Sequence, residues 1–225
     1  MTFDSARIGF NTLFSRPSWK AWAVLVTLAV HAPAFAQERP APLTAQAGFT
    51  GQPPTSDRIW GQLAQAKWLA DGQAKAPRTV YVFTDPNCPY CNKFWADARP
   101  WVDSGKVQLR HVIVGILTPT SPGKAAALLA DKNPAQAFDA YERGHVAETL
   151  KAMASGRLRP LGDAGLQPLA AIPPAVQAQL DGNEKLMADL GLRATPAVVW
   201  KDESGAVQRL MGIPDGALAK VLGPR

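Results

Sequence analysis

The 225-residue chain has only two cysteines, and they stand two residues apart in Cys88-Pro89-Tyr90-Cys91. The residues before them, Thr79-Val80-Tyr81-Val82-Phe83, are β-branched, aromatic and uncharged, the pattern of a buried β-strand. Asp85-Pro86-Asn87 breaks that strand. Cys88 then opens a helix, with Pro89 at the first helical position, where a missing N–H costs nothing. A thiol at a helix N-terminus faces unsatisfied amides and the positive end of the dipole, so its thiolate is favoured. Cys91 lies one turn further on, within reach of a disulfide with Cys88. Strand, turn and dithiol-bearing helix together describe a group that exchanges electrons.

Three other readings compete. A structural disulfide closing so small a loop would constrain the unfolded chain little. A structural zinc site needs four ligands as a rule, and past residue 36 only His111 and His145 remain to join the cysteines, at no zinc-finger spacing. Chance placement on an inert helix conflicts with the strand-turn-helix context. No metal is expected, and nothing in the pattern calls for a cofactor.

The first 36 residues read as an export signal. Arg7, Arg16 and Lys20 form a positive n-region, Ala21 to Val30 an apolar core, and Ala34-Phe35-Ala36 a small-x-small cleavage site. The apolar run is short for a bilayer span and is interrupted by His31 and Pro33; an uncleaved anchor is the alternative. Export places the protein in the periplasm, where disulfides persist. Removing 36 of 225 residues leaves 189, enough for one domain with a sizeable core and an insertion. Three bases and one acid leave with the signal, so the net charge falls from +6 to about +4. No Lys/Arg run is interleaved with aromatics, which argues against nucleic acid as a partner.

Residues 37–56 are rich in Pro, Ala, Gln, Thr and Gly and read as a flexible lead-in. Residues 57–72 read as a linker helix, with Ile59, Trp60, Leu63, Ala66, Trp68 and Leu69 near one face, Asp57 or Ser56 as cap and Asp71-Gly72 as stop. Its tryptophans pack on the domain or serve a partner surface. Residues 73–225 form the main domain. Within it a helix follows Cys88 until Pro100 kinks or ends it, and Val107 to Ile116 is a second buried strand. A helical insertion at about 123–180 breaks near Asn133-Pro134 and loosens after residue 155. Glu184 to Leu190 is a short helix capped by Asp181 or Asn183 and stopped by Gly191. Strands at 197–200 and 207–211 and a helix at 215–222 complete the chain. The order predicts an α/β, thioredoxin-like fold: one mixed sheet flanked by helices on both faces.

Thr195-Pro196 is the second marker. A proline at a strand start cannot donate to the ladder and needs a reason. An ordinary trans loop proline is the commoner case. With the cysteine motif upstream, a cis bond that presents the Thr195 backbone to a bound chain is the better reading.

These residues resemble the DsbC/DsbG family of periplasmic disulfide isomerases and reductases, in its DsbG branch. The resemblance rests on Tyr81-Val82-Phe83-Thr84-Asp85-Pro86-Asn87-Cys88-Pro89-Tyr90-Cys91 and on the run from Ala98-Arg99-Pro100-Trp101 to Arg110. It returns at Asp181-Gly182-Asn183-Glu184-Lys185-Leu186-Met187 to Gly191, and at Thr195-Pro196-Ala197. It implies a nucleophilic Cys88, a resolving Cys91 and a cis Pro196 preceded by Thr195. Such proteins carry an N-terminal dimerisation domain ahead of a linker helix. Here about twenty residues separate the signal from the helix, so that domain is expected to be missing. The V-shaped dimer, and the isomerase action that depends on it, then do not follow.

The expected chemistry is attack of the Cys88 thiolate on a disulfide or sulfenic acid of an exported protein, then attack of Cys91 on Cys88. Thr195 and Pro196 pair with the substrate backbone. Asp85 either forms the turn through its side chain or assists proton transfer. Tyr90 either tunes the dithiol or is an exposed aromatic of the turn, and His111 is structural. The implied electron partner is a membrane-bound, DsbD-like reductase. A disulfide oxidase and a non-enzymatic chaperone or assembly factor are the alternatives.

Overall fold

The computed structural model describes residues 55–224. The expected export signal at 1–36 and all but the last two residues of the lead-in at 37–56 lie outside the described residues. Five strands, β1 (Trp68–Asp71), β2 (Arg78–Thr84), β3 (Val107–Ile113), β4 (Ala197–Lys201) and β5 (Val207–Met211), form one sheet in the order β1-β3-β2-β4-β5. β2 and β3 run parallel, with Val80 opposite Leu109; the other pairings are antiparallel. The helices are α1 (Ser56–Gln65), α2 (Pro89–Val102), α3 (Ser121–Ala130), α4 (Pro134–Ala154), α5 (Pro174–Asp189) and α6 (Ala217–Leu222).

The period-two geometry of β2 sorts its side chains between two layers. Val80 and Val82 join Phe94, Ala98 and Trp101 of α2 and Val221 and Leu222 of α6. Tyr81 and Phe83 join Ile59 and Leu63 of α1 and Met187 of α5. β2 is therefore covered on both faces, which is why its sequence is a continuous apolar run and not an alternating one. Each fully buried aliphatic side chain here contributes about 1.5–3 kcal/mol. A third cluster, around Trp95, Ile113, Leu128, Phe138 and Leu180, seats the helical insertion against α2 and β3.

Several expectations change. Residues 57–72 are not one helix: α1 stops at Gln65, and Trp68–Asp71 is a strand pairing with β3, Leu69 opposite His111. The free edge of β3 satisfies those backbone groups, and Asp71 is held by Arg99 of α2 through Nη1 to Oδ1 at 3.0 Å and a second, shorter contact between Nη2 and Oδ2. Those tertiary bonds outweigh the helical spacing of the apolar residues. The helix cap is Thr55, whose Oγ1 accepts from the Arg58 N–H at 3.4 Å, and not Asp57 or Ser56. The short helix at 184–190 is the end of α5, which starts at Pro174. Asp181 and Asn183 thus lie in mid-helix, and buried Asn183 donates to the carbonyls of Ile113 at 2.9 Å and Lys67 at 3.2 Å. Prolines 168, 173 and 174 suggest a loop, yet Pro174 occupies the first turn, where proline is tolerated. α2 also continues past Pro100, to Val102.

Candidate active site

β2 delivers the chain to the site, and the turn after it is tied down on every side. Asp85 is fully buried and accepts four hydrogen bonds: from the N–H groups of Asn87 (2.8 Å), Ile116 (2.7 Å) and Leu117 (2.8 Å) and from Ser121 Oγ (2.8 Å). Asn87 donates to the hydroxyls of Thr118 (2.7 Å), Thr120 (2.9 Å) and Ser121 (3.1 Å). Asp85 is therefore the clamp of the turn, with its lone pairs engaged, and this geometry favours the turn-forming role over proton transfer.

Cys88 is the N-cap of α2 and Pro89 its first residue. The Cys88 sulfur accepts from the Cys91 N–H at 3.3 Å, and its thiol donates to the Thr195 carbonyl at 3.4 Å. Both cysteines are free thiols. The Thr195–Pro196 peptide is cis, and the Thr195 carbonyl lies beside the Cys88 sulfur. Thr195 Oγ1 is buried without another hydrogen-bond partner among the described residues, and the Cys88 sulfur is the acceptor near it. Tyr90, between the two cysteines in sequence, is 55% exposed. Together with Phe94, Pro196, Ile213 and Pro214 it lines a small groove of about 120 Å³.

The two thiols are electrostatically unlike. Donation from the Cys91 thiol, then from Thr195 and the Cys91 and Tyr90 amides, outweighs burial and brings the Cys88 pKa down to about 7. Burial, with the Cys88 sulfur and the Glu142 carboxylate nearby, pushes the Cys91 thiol well above its ordinary range. Near neutral pH Cys88 stands at its point of ionisation while Cys91 holds its proton. Cys88 is itself only 2% exposed.

Glu142 was not anticipated. It comes from the helical insertion and is fully buried, with Asn92 of α2 donating to its Oε2 at 2.6 Å and to its backbone carbonyl at 2.7 Å. Its Oε1 has no partner among the described residues. Burial, reinforced by the charge on Cys88, pushes its pKa up to about 8 against the opposing bond from Asn92. One signal in the sequence points to it. Phe138, Tyr141, Glu142, His145 and Thr149 follow the inward stripe of α4, and an acid within such a stripe needs a reason.

His111 lies in the sheet, fully buried, sharing a hydrogen bond with Thr84 at 3.0 Å and facing Asp71 at 3.4 Å. Burial pushes its pKa down, which suits a structural neutral imidazole. No group of three His, Cys, Asp or Glu side chains converges as a metal site would require, among the described residues.

A family model described as a thioredoxin-like domain matches residues 65–223. A thiol:disulfide interchange protein DsbG of Pseudomonas aeruginosa is 47% identical over 173 residues, which cover 76% of this chain and 61% of that protein. DsbG of Escherichia coli K12 is 44% identical over 162 residues, covering 72% of this chain and 59% of its own length. The chain thus spans about six tenths of the length of these curated relatives. Among solved structures, the catalytic domain of Proteus mirabilis ScsC superposes with a TM-score of 0.51 at 19% identity, covering 73% of this chain and 92% of that one. A periplasmic thioredoxin-like protein of Salmonella enterica serovar Typhimurium gives 0.52 at 19% identity, covering 73% and 93%. At such identities these two speak for the fold. The family match runs from Gln65 to Gly223, through the dithiol turn and the cis-proline loop alike, and the chain belongs to the thioredoxin-like domain family.

Proposed function

We propose that this chain is a periplasmic thiol-disulfide oxidoreductase that reduces disulfides and oxidised cysteines of exported proteins. The observation that carries the reading is the asymmetry of the dithiol: Cys88 at about 7 beside the Thr195 carbonyl, Cys91 buried and far higher. The similarity to proteins named as thiol:disulfide interchange proteins supports it, as does the signal-like sequence at residues 1–36.

The Cys88 thiolate attacks one sulfur of a substrate disulfide. The substrate S–S bond breaks, a Cys88–substrate disulfide forms, and the departing sulfur takes up a proton. Cys91 then loses its proton and attacks the Cys88 sulfur. The intramolecular disulfide closes, and the second substrate sulfur leaves as a thiol. Two electrons have passed from the dithiol to the substrate. With a sulfenic acid the first attack expels the S–OH oxygen as water and the second releases the reduced cysteine. The proton on Cys91 needs an acceptor inside the protein. Glu142 is the buried base beside it, with one oxygen unengaged and a pKa near the working pH. Asp85 stays the clamp of the turn. Tyr90 and Pro196 border the entry, and Thr195 offers its backbone to an extended substrate. Regeneration takes two electrons from a membrane-bound, DsbD-like dithiol.

The moderate Cys88 pKa favours donation over oxidation, because a strong oxidant stabilises its reduced form far more. Single-turnover reduction of a disulfide peptide by the fully reduced protein tests the reading. Wild type should oxidise stoichiometrically, Cys88→Ala should be inert, and Cys91→Ala should trap the mixed disulfide. Unaltered client protection by Cys88→Ala would instead favour the chaperone reading. N-terminal sequencing of the periplasmic protein should find Gln37; an intact Met1 would remove the export argument.

A further inference from the structure

A second cleft, of about 360 Å³, borders the dithiol motif apart from the Tyr90 groove. Pro89 of the dithiol motif forms part of its wall, and α4 with the segment after it forms the rest. Lys151, Arg157 and Arg159 line it, with Glu148 as the one acid. All three cations are exposed, and none makes an ion pair or side-chain hydrogen bond among the described residues. On its wall sits Thr149, 2% exposed, whose hydroxyl also has no partner there.

The segment that carries the arginines is built to hold its place. Gly156, at a φ of 64°, closes α4 with the Arg157 N–H on the Ala152 carbonyl at 2.9 Å and the Gly156 N–H on Met153 at 3.1 Å. This is the double bond pattern of a Schellman cap, and only a residue tolerant of positive φ fits there. Beyond Arg159 the chain is pinned to the catalytic turn itself: the Leu161 N–H donates to the Asn87 carbonyl at 3.0 Å. Fully buried Lys124 donates to the carbonyls of Leu161 at 2.8 Å and Gly162 at 2.6 Å, and Tyr141 donates to Pro86 at 2.8 Å. The C-terminal dipole of α4 accounts for Lys151, but Arg159 lies beyond its reach.

Three unpaired cations around a cleft walled in part by Pro89 of the dithiol motif are complementary to a carboxylate. We propose that this cleft receives an acidic residue of the substrate that flanks the reacting cysteine. The inference rests on the oxidoreductase reading and adds a substrate class to it. An acidic flank would be steered to the basic wall while its sulfur meets Cys88, which speeds encounter more than it tightens the complex.

The test uses three disulfide peptides differing only in the residues flanking the cysteine: aspartate, serine or lysine. Single-turnover rates are followed at low and high salt. Wild type should reduce the aspartate peptide about tenfold faster than the serine peptide at low ionic strength, and that ratio should shrink as salt screens the cleft. The charge reversal Arg157→Glu/Arg159→Glu should invert the preference toward lysine, a result that loss of packing cannot produce. A wild-type ratio of one, or an aspartate preference that survives the reversal, would overturn the inference and leave the oxidoreductase reading intact. A wild type that reduces none of the three peptides would sink both.

Discussion

The two faces of α2 are built by opposite rules. Toward the sheet it presents Phe94, Ala98, Trp101 and Val102 to an apolar cluster that also contains Val80, Val82 and Leu109. Toward α4 it presents Asn92 and Trp95, and there the buried polar atoms go unpaired: Asn92 Oδ1, Trp95 Nε1, and across from them Glu142 Oε1, His145 Nε2 and Thr149 Oγ1. The remaining such atom among the described residues, Thr195 Oγ1, lies beside Cys88. An unsatisfied buried polar group costs about 1–3 kcal/mol, so their gathering on one side of one helix is a departure from ordinary core construction. The sheet side holds the helix. The α4 side carries the unpaired polar atoms, among them the Glu142 oxygen that interacts electrostatically with Cys88 and Cys91.

If that contrast is right, mutations on the two sides should separate chemistry from stability. The largest effect belongs to the sulfur itself: Cys88→Ser should abolish peptide reduction while leaving the melting profile close to wild type. On the sheet side, Trp101→Ala should cost about 3–5 kcal/mol in urea unfolding, through lost packing and through loss of the indole bond to the Gly223 carbonyl at 2.9 Å. On the α4 side, Glu142→Gln should slow the second, resolving step by about 100-fold and let the mixed disulfide accumulate in quenched-flow samples. Mixed disulfide resolving at the wild-type rate would remove Glu142 from the mechanism.

The same substitution has a pH signature. The folded pKa of Glu142 is raised to about 8 from an ordinary 4.5, so the folded state binds the extra proton between those values. Its stabilising contribution is therefore complete below about 4.5, declines as pH rises, and is gone above about 8. Chemical denaturation from pH 5 to 9 should show that decline in wild type and a flatter profile in Glu142→Gln, with the variant the more stable by about 2 kcal/mol at the alkaline end. The smallest effect concerns Thr195. Iodoacetamide alkylation of Cys88 should titrate with a midpoint near 7, and Thr195→Val should move it upward by about half a unit as one donor to the thiolate is lost. An unmoved midpoint would mean that the Cys91 thiol and the amides suffice.

Much of this site is legible before any folding. A continuous apolar strand, a breaking Asp-Pro-Asn and a proline just after the first cysteine place Cys88 at a helix start, because each residue acts through its own backbone preferences. The strands at 197–201 and 207–211 and the stop at Gly191 are local in the same way. What failed did so where a distant partner outbid local preference. Trp68–Asp71 has helical spacing, yet the edge of β3 and the Arg99 guanidinium make it a strand. Asp181 and Asn183 look like caps, yet Asn183 spends its amide on Ile113 from mid-helix.

The sequence by itself determined the dithiol and its position at a helix N-terminus, since these follow from spacing and from φ, ψ preferences within a few residues. Only the tertiary structure decided which acid lies unengaged within electrostatic reach of the pair and where the charges lie. Asp85 is nearest in sequence and is consumed by four donors. Glu142 is fifty residues from Asn92 and is brought to it by the packing of α4 on α2. Proton transfer and charge recognition depend on distance and burial in space, and neither is written in the order of the chain.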